Sequence, residues 1–107
     1  MPFVVASGIA SAIVSTEVTF ANETANRNYI LAVNTSGLQG GDTVDVRLYT
    51  ETISGTGLQL VKEDTYTGAQ AIPIKFTDPI PSPHNISARF EQTAGVARTF
   101  PFELIAI

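Results

Sequence analysis

From Val44 onward the chain alternates: Val44, Val46 and Leu48 fall on one side, continued by Thr50 and Thr52, while Asp45, Arg47, Tyr49 and Glu51 take the other. A period of two is the signature of a strand with one buried and one wet face. Gly40-Gly41-Asp42 before this run and Ser54-Gly55-Thr56-Gly57 after it carry turn chemistry. Leu58-Gln59-Leu60-Val61-Lys62 then returns as the second arm of a hairpin.

The same pattern recurs along the chain. Ser11 to Phe20 predicts a strand with Val14, Thr16, Val18 and Phe20 on one side, and Ala21 to Arg27 a polar connection. Tyr29 to Asn34 is apolar on both sides, as a central strand would be. Thr65 to Gln70 reads as a loop. Ala71 to Thr77 predicts an edge strand, because Pro73 cannot donate to a ladder, with Ile72, Ile74 and Phe76 inward. Pro79, Pro81 and Pro83 stiffen an extended connector and exclude helix there. Ile86, Ala88 and Phe90 mark the next strand, and Phe100, Phe102 and Leu104 the last.

No window carries the i, i+3, i+4, i+7 spacing of an amphipathic helix. About seven to eight short strands separated by turns predict an all-β fold, an antiparallel β-sandwich of jelly-roll-like form. The expected core is Val44, Val46, Leu48, Ile72, Ile74, Ile86, Phe90, Phe100, Phe102 and Leu104. The expected organisation is an extended N-terminal arm over residues 1–10 and a single sandwich domain over 11–107.

Composition narrows the function. Charged residues make up only 15% of the 107, against a usual share of about 25%. The surface is then rich in neutral polar groups, which suits a protein packed against other subunits. Net charge is −4 and the six basic residues are dispersed, so a nucleic-acid partner is excluded. There is no cysteine for a disulfide or a thiolate metal site. Met1 to Thr16 is uncharged but has no basic residue ahead of its apolar run, and Ser7, Gly8 and Ser11 interrupt it. Neither a secretory signal nor a membrane span is expected.

Candidate chemistry is sparse. His84 is the lone imidazole and lies in the proline connector, where an exposed loop side chain is the simpler reading. Asp42 and Asp45 offer a calcium loop only two carboxylates, so turn capping by Asp42 and a solvated strand face for Asp45 are favoured. No catalytic residue, metal or cofactor is expected. Of the aromatic residues, Tyr29, Phe76, Phe90, Phe100 and Phe102 read as core, while the outward register of Tyr49 calls for an interface or a sheet-face contact. An arm exposing Phe3, Val4, Val5 and Ile9, with Pro2 disfavouring helix, would bury them on a neighbouring subunit. The alternative is that this segment is the first strand of its own sandwich. Pro2, Phe3, Val4, Val5, Ile9 and Tyr49 are therefore the candidate partner interface.

Four pieces of the chain resemble small structural proteins of tailed bacteriophages. They are Gly41 to Thr50, Tyr66-Thr67-Gly68-Ala69-Gln70, Pro79-Ile80-Pro81, and Glu91-Gln92-Thr93-Ala94-Gly95 leading to Phe100-Pro101-Phe102. The resemblance implies a virion protein on the capsid surface, a decoration (cement) protein bound to the major capsid protein, of small β fold and trimeric. The competing expectation is a carbohydrate- or receptor-binding β-sandwich of a tail fibre or adhesin.

Overall fold

The computed structural model describes residues 3–51 and 53–107. Among the described residues nine strands follow in order: β1 Phe3–Ser11, β2 Glu17–Glu23, β3 Arg27–Asn34, β4 Thr43–Glu51, β5 Gln59–Thr67, β6 Ile74–Phe76, β7 Ile80–Ser82, β8 Asn85–Ala94 and β9 Thr99–Ala106. They form two antiparallel sheets, one ordered β1-β9-β3-β6 with β7 also on β3, the other β2-β8-β4-β5. The strands β6 and β7 pair with opposite ends of β3, at Ala32 to Asn34 and at Arg27 to Tyr29. They act as one edge strand interrupted by Asp78-Pro79.

The pairings nest. β4 pairs with β5, β3 with β6 and β7, β2 with β8, and β1 with β9. A long hairpin rolled up so that successive layers alternate between two sheets is a jelly roll. The molecule measures 40 × 29 × 19 Å.

The core lies between the sheets and follows the alternation. Val44, Val46 and Leu48 of β4 and Ile86, Ala88 and Phe90 of β8 meet Tyr29, Leu31 and Val33 of β3 and Phe100, Leu104 and Ala106 of β9, all buried. Phe90 is an aromatic hinge of the two layers: its ring centroid lies 5.3 Å from Phe20 and 5.4 Å from Phe100, and Phe20 lies 4.6 Å from the half-buried Phe102. Such tilted and edge-on contacts suit the charge distribution of aromatic rings.

The structure corrects several local expectations. Ser11 to Phe20 is not one strand: β1 ends at Ser11, the chain turns through residues 12–16, and β2 begins at Glu17 in the other sheet. A strand must end to change sheets, and here Ala12 N–H donates to Arg98 O (2.9 Å) and Ser15 N–H to Gln92 O (2.7 Å). The polar connection shrinks because β2 runs to Glu23 and β3 starts at Arg27. Thr65 to Thr67 is not loop but the end of β5.

The largest correction is to the edge strand. Ile72, Ile74 and Phe76 point outward, at 72%, 43% and 64% exposure, and not into the core. Alternation says which residues share a face but not which face. The partners decide: Ile74 lies opposite Asn34 and Phe76 opposite Ala32, both on the outward register of β3, and cross-strand partners share a side. Ile72→Ala is accordingly expected to change the unfolding free energy by no more than about 0.5 kcal/mol, measured by urea denaturation. A loss several times larger would return Ile72 to the core.

Candidate functional site: two unlike sheet faces

The outer face of the β2-β8-β4-β5 sheet is charged. Register aligns Glu17, Glu91, Asp45 and Thr65 in one row across the strands, and Thr19, Arg89, Arg47 and Glu63 in the next. Arg47, on a central strand, reaches four carboxylates. Its Nε donates to Glu63 (2.6 Å), its Nη1 to Glu17 (2.8 Å) and Glu91 (3.0 Å), and its Nη2 to Asp45 (3.1 Å). The planar guanidinium has five donors, enough for such a set. Thr65 Oγ1 donates to the other oxygen of Asp45 at 2.6 Å.

Glu17 is the second node. It accepts from Arg47 and also from Tyr49 Oη at 2.9 Å, and Arg89 Nη1 stands 3.4 Å from its other oxygen. Burial pushes the Glu17 carboxyl up, but the three donors outweigh it and hold its pKa below the ordinary value. Burial and the Glu17 hydrogen bond push the Tyr49 phenol up. The Arg89 guanidinium covers the Tyr49 ring, 4.4 Å from its centroid. Four carboxylates thus surround two guanidinium groups: each carboxylate has a cationic partner within the face, which keeps an excess of negative charge.

A separate polar hub closes one end of the sandwich. Asp42 is buried, and its carboxylate accepts from Arg98 Nε (2.6 Å), Gln39 N–H (2.9 Å) and Val96 N–H (3.0 Å). The Arg98 hydrogen bond, with Gln39 N–H, overcomes burial and lowers the Asp42 pKa. Gln92, also buried, donates to Ala94 O (3.1 Å) and Val96 O (2.6 Å) and accepts from Arg98 N–H (3.0 Å). Together they fasten the β3–β4 loop to the β8–β9 turn.

The opposite outer face, that of β1-β9-β3-β6, is apolar. Val4, Ile105 and Ile30 align across three strands, and Ile9 and Pro101 across two. Ser7, Glu103, Ala32 and Phe76 form the row between. Ile9 and Phe76 are 68% and 64% exposed. A groove of about 520 Å³ runs over this face.

The candidate interface residues divide between the two faces. Pro2 lies outside the described residues. The segment expected as a free arm is hydrogen-bonded to its own chain, with Phe3 opposite Ala106 through to Ser11 opposite Thr99. Val4 and Ile9 are exposed on the apolar face, Val5 packs partly against the core, and Phe3 lies under the Arg27 guanidinium at 4.8 Å. Tyr49 belongs to the charged face as a sheet-face contact. Asp42 and Asp45 do not converge, since one is buried in the end hub and the other pairs with Arg47. His84 is exposed in the connector. Among the described residues no three His, Asp or Glu side chains are grouped to hold a metal ion, and no helix is long and apolar enough to cross a membrane.

Sequence reasoning missed Ile30, Ile74, Phe76, Pro101, Glu103 and Ile105 as surface candidates. A signal existed in the last strand, where Pro101, Glu103 and Ile105 alternate with Phe100, Phe102 and Leu104, leaving Ile105 on the supposed wet side. No protein-family model, no curated protein and no solved structure matches the chain.

Proposed function

We propose that the protein is a non-enzymatic structural component of a tailed-bacteriophage virion, a decoration protein that binds the major capsid protein as a homotrimer and braces the shell. The observation that carries this reading is the apolar outer face of the β1-β9-β3-β6 sheet, set opposite a face whose charges are satisfied internally. Contiguous apolar surface on a small domain marks a partner. An enzyme of this size would need converging reactive groups, and the charged face offers carboxylates already occupied by Arg47. The resemblance at Gly41 to Thr50 and Glu91 to Phe102 supplies the virion.

Purified protein incubated with isolated capsid shells is expected to cosediment saturably, and light scattering is expected to give the mass of three chains. Phe76→Asp should abolish cosedimentation while leaving the melting temperature within about 3 °C, because the side chain is exposed in the isolated molecule. A strict monomer that ignores shells would refute the reading.

A further inference from the structure

The apolar face has a shape and a charge that specify its occupant more closely. Bulky side chains stand on the two edge strands, Ile9 on β1 and Ile74 and Phe76 on β6. Ala32 and Glu103 lie between them on the two central strands. Among the described residues Glu103 is the one ionisable side chain on this face, and it has no hydrogen bond or ion pair. Its cross-strand neighbours are Ser7 and Ala32, which are too short to shelter it.

Two considerations weigh against a second copy of this chain. Three strands of eight or nine residues and an edge of two three-residue strands, spaced about 4.8 Å and rising about 3.3 Å per residue, give at most roughly 500 Å² of flat sheet. A stable rigid interface takes about 800 Å² per partner, so flat docking of one sheet on another falls short. A two-fold contact centred here would also bring two Glu103 carboxylates together in apolar surroundings, on molecules that each carry a net charge of −4. An occupant that fills the groove, and does not merely cover the sheet, gains the missing contact. A volume of about 520 Å³ is in the range that binds ligands and short side-chain clusters.

We propose that this groove takes an extended protein segment of apolar side chains carrying one lysine or arginine, whose cation pairs with Glu103 while the apolar residues pack between Ile9 and Phe76. The inference rests on the docking role of this face proposed above and names what that face recognises. A carboxylate alone among apolar groups penalises every occupant that buries it unpaired, so it selects for a cation as much as it attracts one.

The test is selection from a random dodecapeptide library displayed on its own messenger RNA, using the full chain as bait. Enriched peptides are expected to alternate apolar residues around a single Lys or Arg. Glu103→Lys should shift enrichment to peptides with Asp or Glu at that place, and synthetic versions should show at least a tenfold preference for the matching charge by fluorescence polarisation. Phe76→Asp should remove enrichment altogether. Melting curves of both variants within about 3 °C of the parent confirm that neither has lost its fold. No enrichment, enrichment without a basic residue, or enrichment indifferent to Glu103→Lys overturns the proposal. So does a concentration-dependent dimer that Phe76→Asp dissociates, because the groove would then belong to a second copy. Shells that bind parent and Glu103→Lys equally would overturn the groove assignment and leave the capsid reading standing. Charge-dependent peptide binding without shell binding would do the reverse.

Discussion

Asp42→Ala is expected to lower the melting temperature by roughly 10–15 °C. The carboxylate is buried and accepts three hydrogen bonds, from Gln39, Val96 and Arg98. Removing it strands two backbone N–H groups and the Nε of a guanidinium, and buried donors without partners are costly. The effect extends beyond the β3–β4 loop, because Val96 and Arg98 also carry the contacts to Gln92 that shape the β8–β9 turn. Asp42→Asn keeps the shape but loses the charge, and is expected to recover less than half of the loss. Gly95→Ala strikes the same place from the other side: Gly95 has φ +90, and a Cβ there would stand 2.7 Å from Asp42 Cα. The pH dependence has a definite sign. The Asp42 pKa is depressed below its ordinary 3.8 in the folded state, so its contribution is complete above that value and is lost as pH falls through the folded pKa. The gap between thermal melts of parent and variant should therefore narrow as pH is taken from 7 down through the range below 3.8. Parallel curves with a gap unchanged by acid would show that the charge of Asp42 contributes nothing.

Position 42 shows where the sequence stops being informative. A glycine-flanked aspartate before a strand announces turn capping, and the bond from Gln39 N–H is that cap. The partners at Val96 and Arg98 lie 54 and 56 residues away. Nothing local in the sequence specifies such a distance. The inner faces of β4 and β8 were legible for the opposite reason: a two-residue period with turn residues at both ends depends only on neighbours, and Val44, Val46, Leu48, Ile86 and Phe90 are all buried. Burial of Phe100 and Leu104 was legible in the same way.

The apolar face was hidden by the same period. In a sandwich the usual inference runs from apolar to inward, and it assigned Ile72, Ile74 and Phe76 to the core. Burial of that edge depends on the register of β6 against β3, which is a pairing between segments about 40 residues apart in sequence. Ile9, Val4 and Ile105 show the complementary point. The first ten residues contain no charge, which called for a cover over them, and in β1 a cover exists only on the inner face, where Val5, Ala6 and Ala10 pack against the core. The other side of Val4 and Ile9 remains part of the surface. Apolar residues in excess of what the core holds were thus visible in the sequence, while the sheet face that collects them was not.

The charged face carries the second large prediction. Arg47→Met should reverse the dependence of stability on pH between about pH 4 and 7. In the parent the Glu17 pKa lies below its ordinary 4.5: burial raises it, and the bonds from Arg47, Tyr49 and Arg89 bring it down past that value. The folded state then binds fewer protons than the unfolded one, so the contribution of Glu17 is complete above 4.5 and disappears as pH falls through the folded pKa. Each pair on this half-wet face is worth less than about 1 kcal/mol after solvent screening. The cation's larger service is to separate Glu17, Asp45, Glu63 and Glu91, all within 3.1 Å of its nitrogens. Methionine keeps most of the length and packing of the arginine stem but none of its charge. Four carboxylates then repel one another, with Arg89 alone beside Glu17, and the Glu17 pKa, released from the Arg47 bond that helps hold it down, rises in the folded state. A raised carboxylate pKa makes the folded form bind more protons, so the variant loses stability as pH climbs from about 5 to 7 while the parent holds level. The expected deficit at pH 7 is roughly 5–10 °C in melting temperature, closing toward pH 4.5 and shrinking in 1 M salt, where charges separated by more than about 3 Å are screened. Melting curves at pH 4.5, 5.5 and 7, each at low and high salt, measure it. A variant whose profile runs parallel to the parent at every pH would mean that the carboxylates swing apart into solvent once Arg47 is gone, and that the arginine does not organise this face.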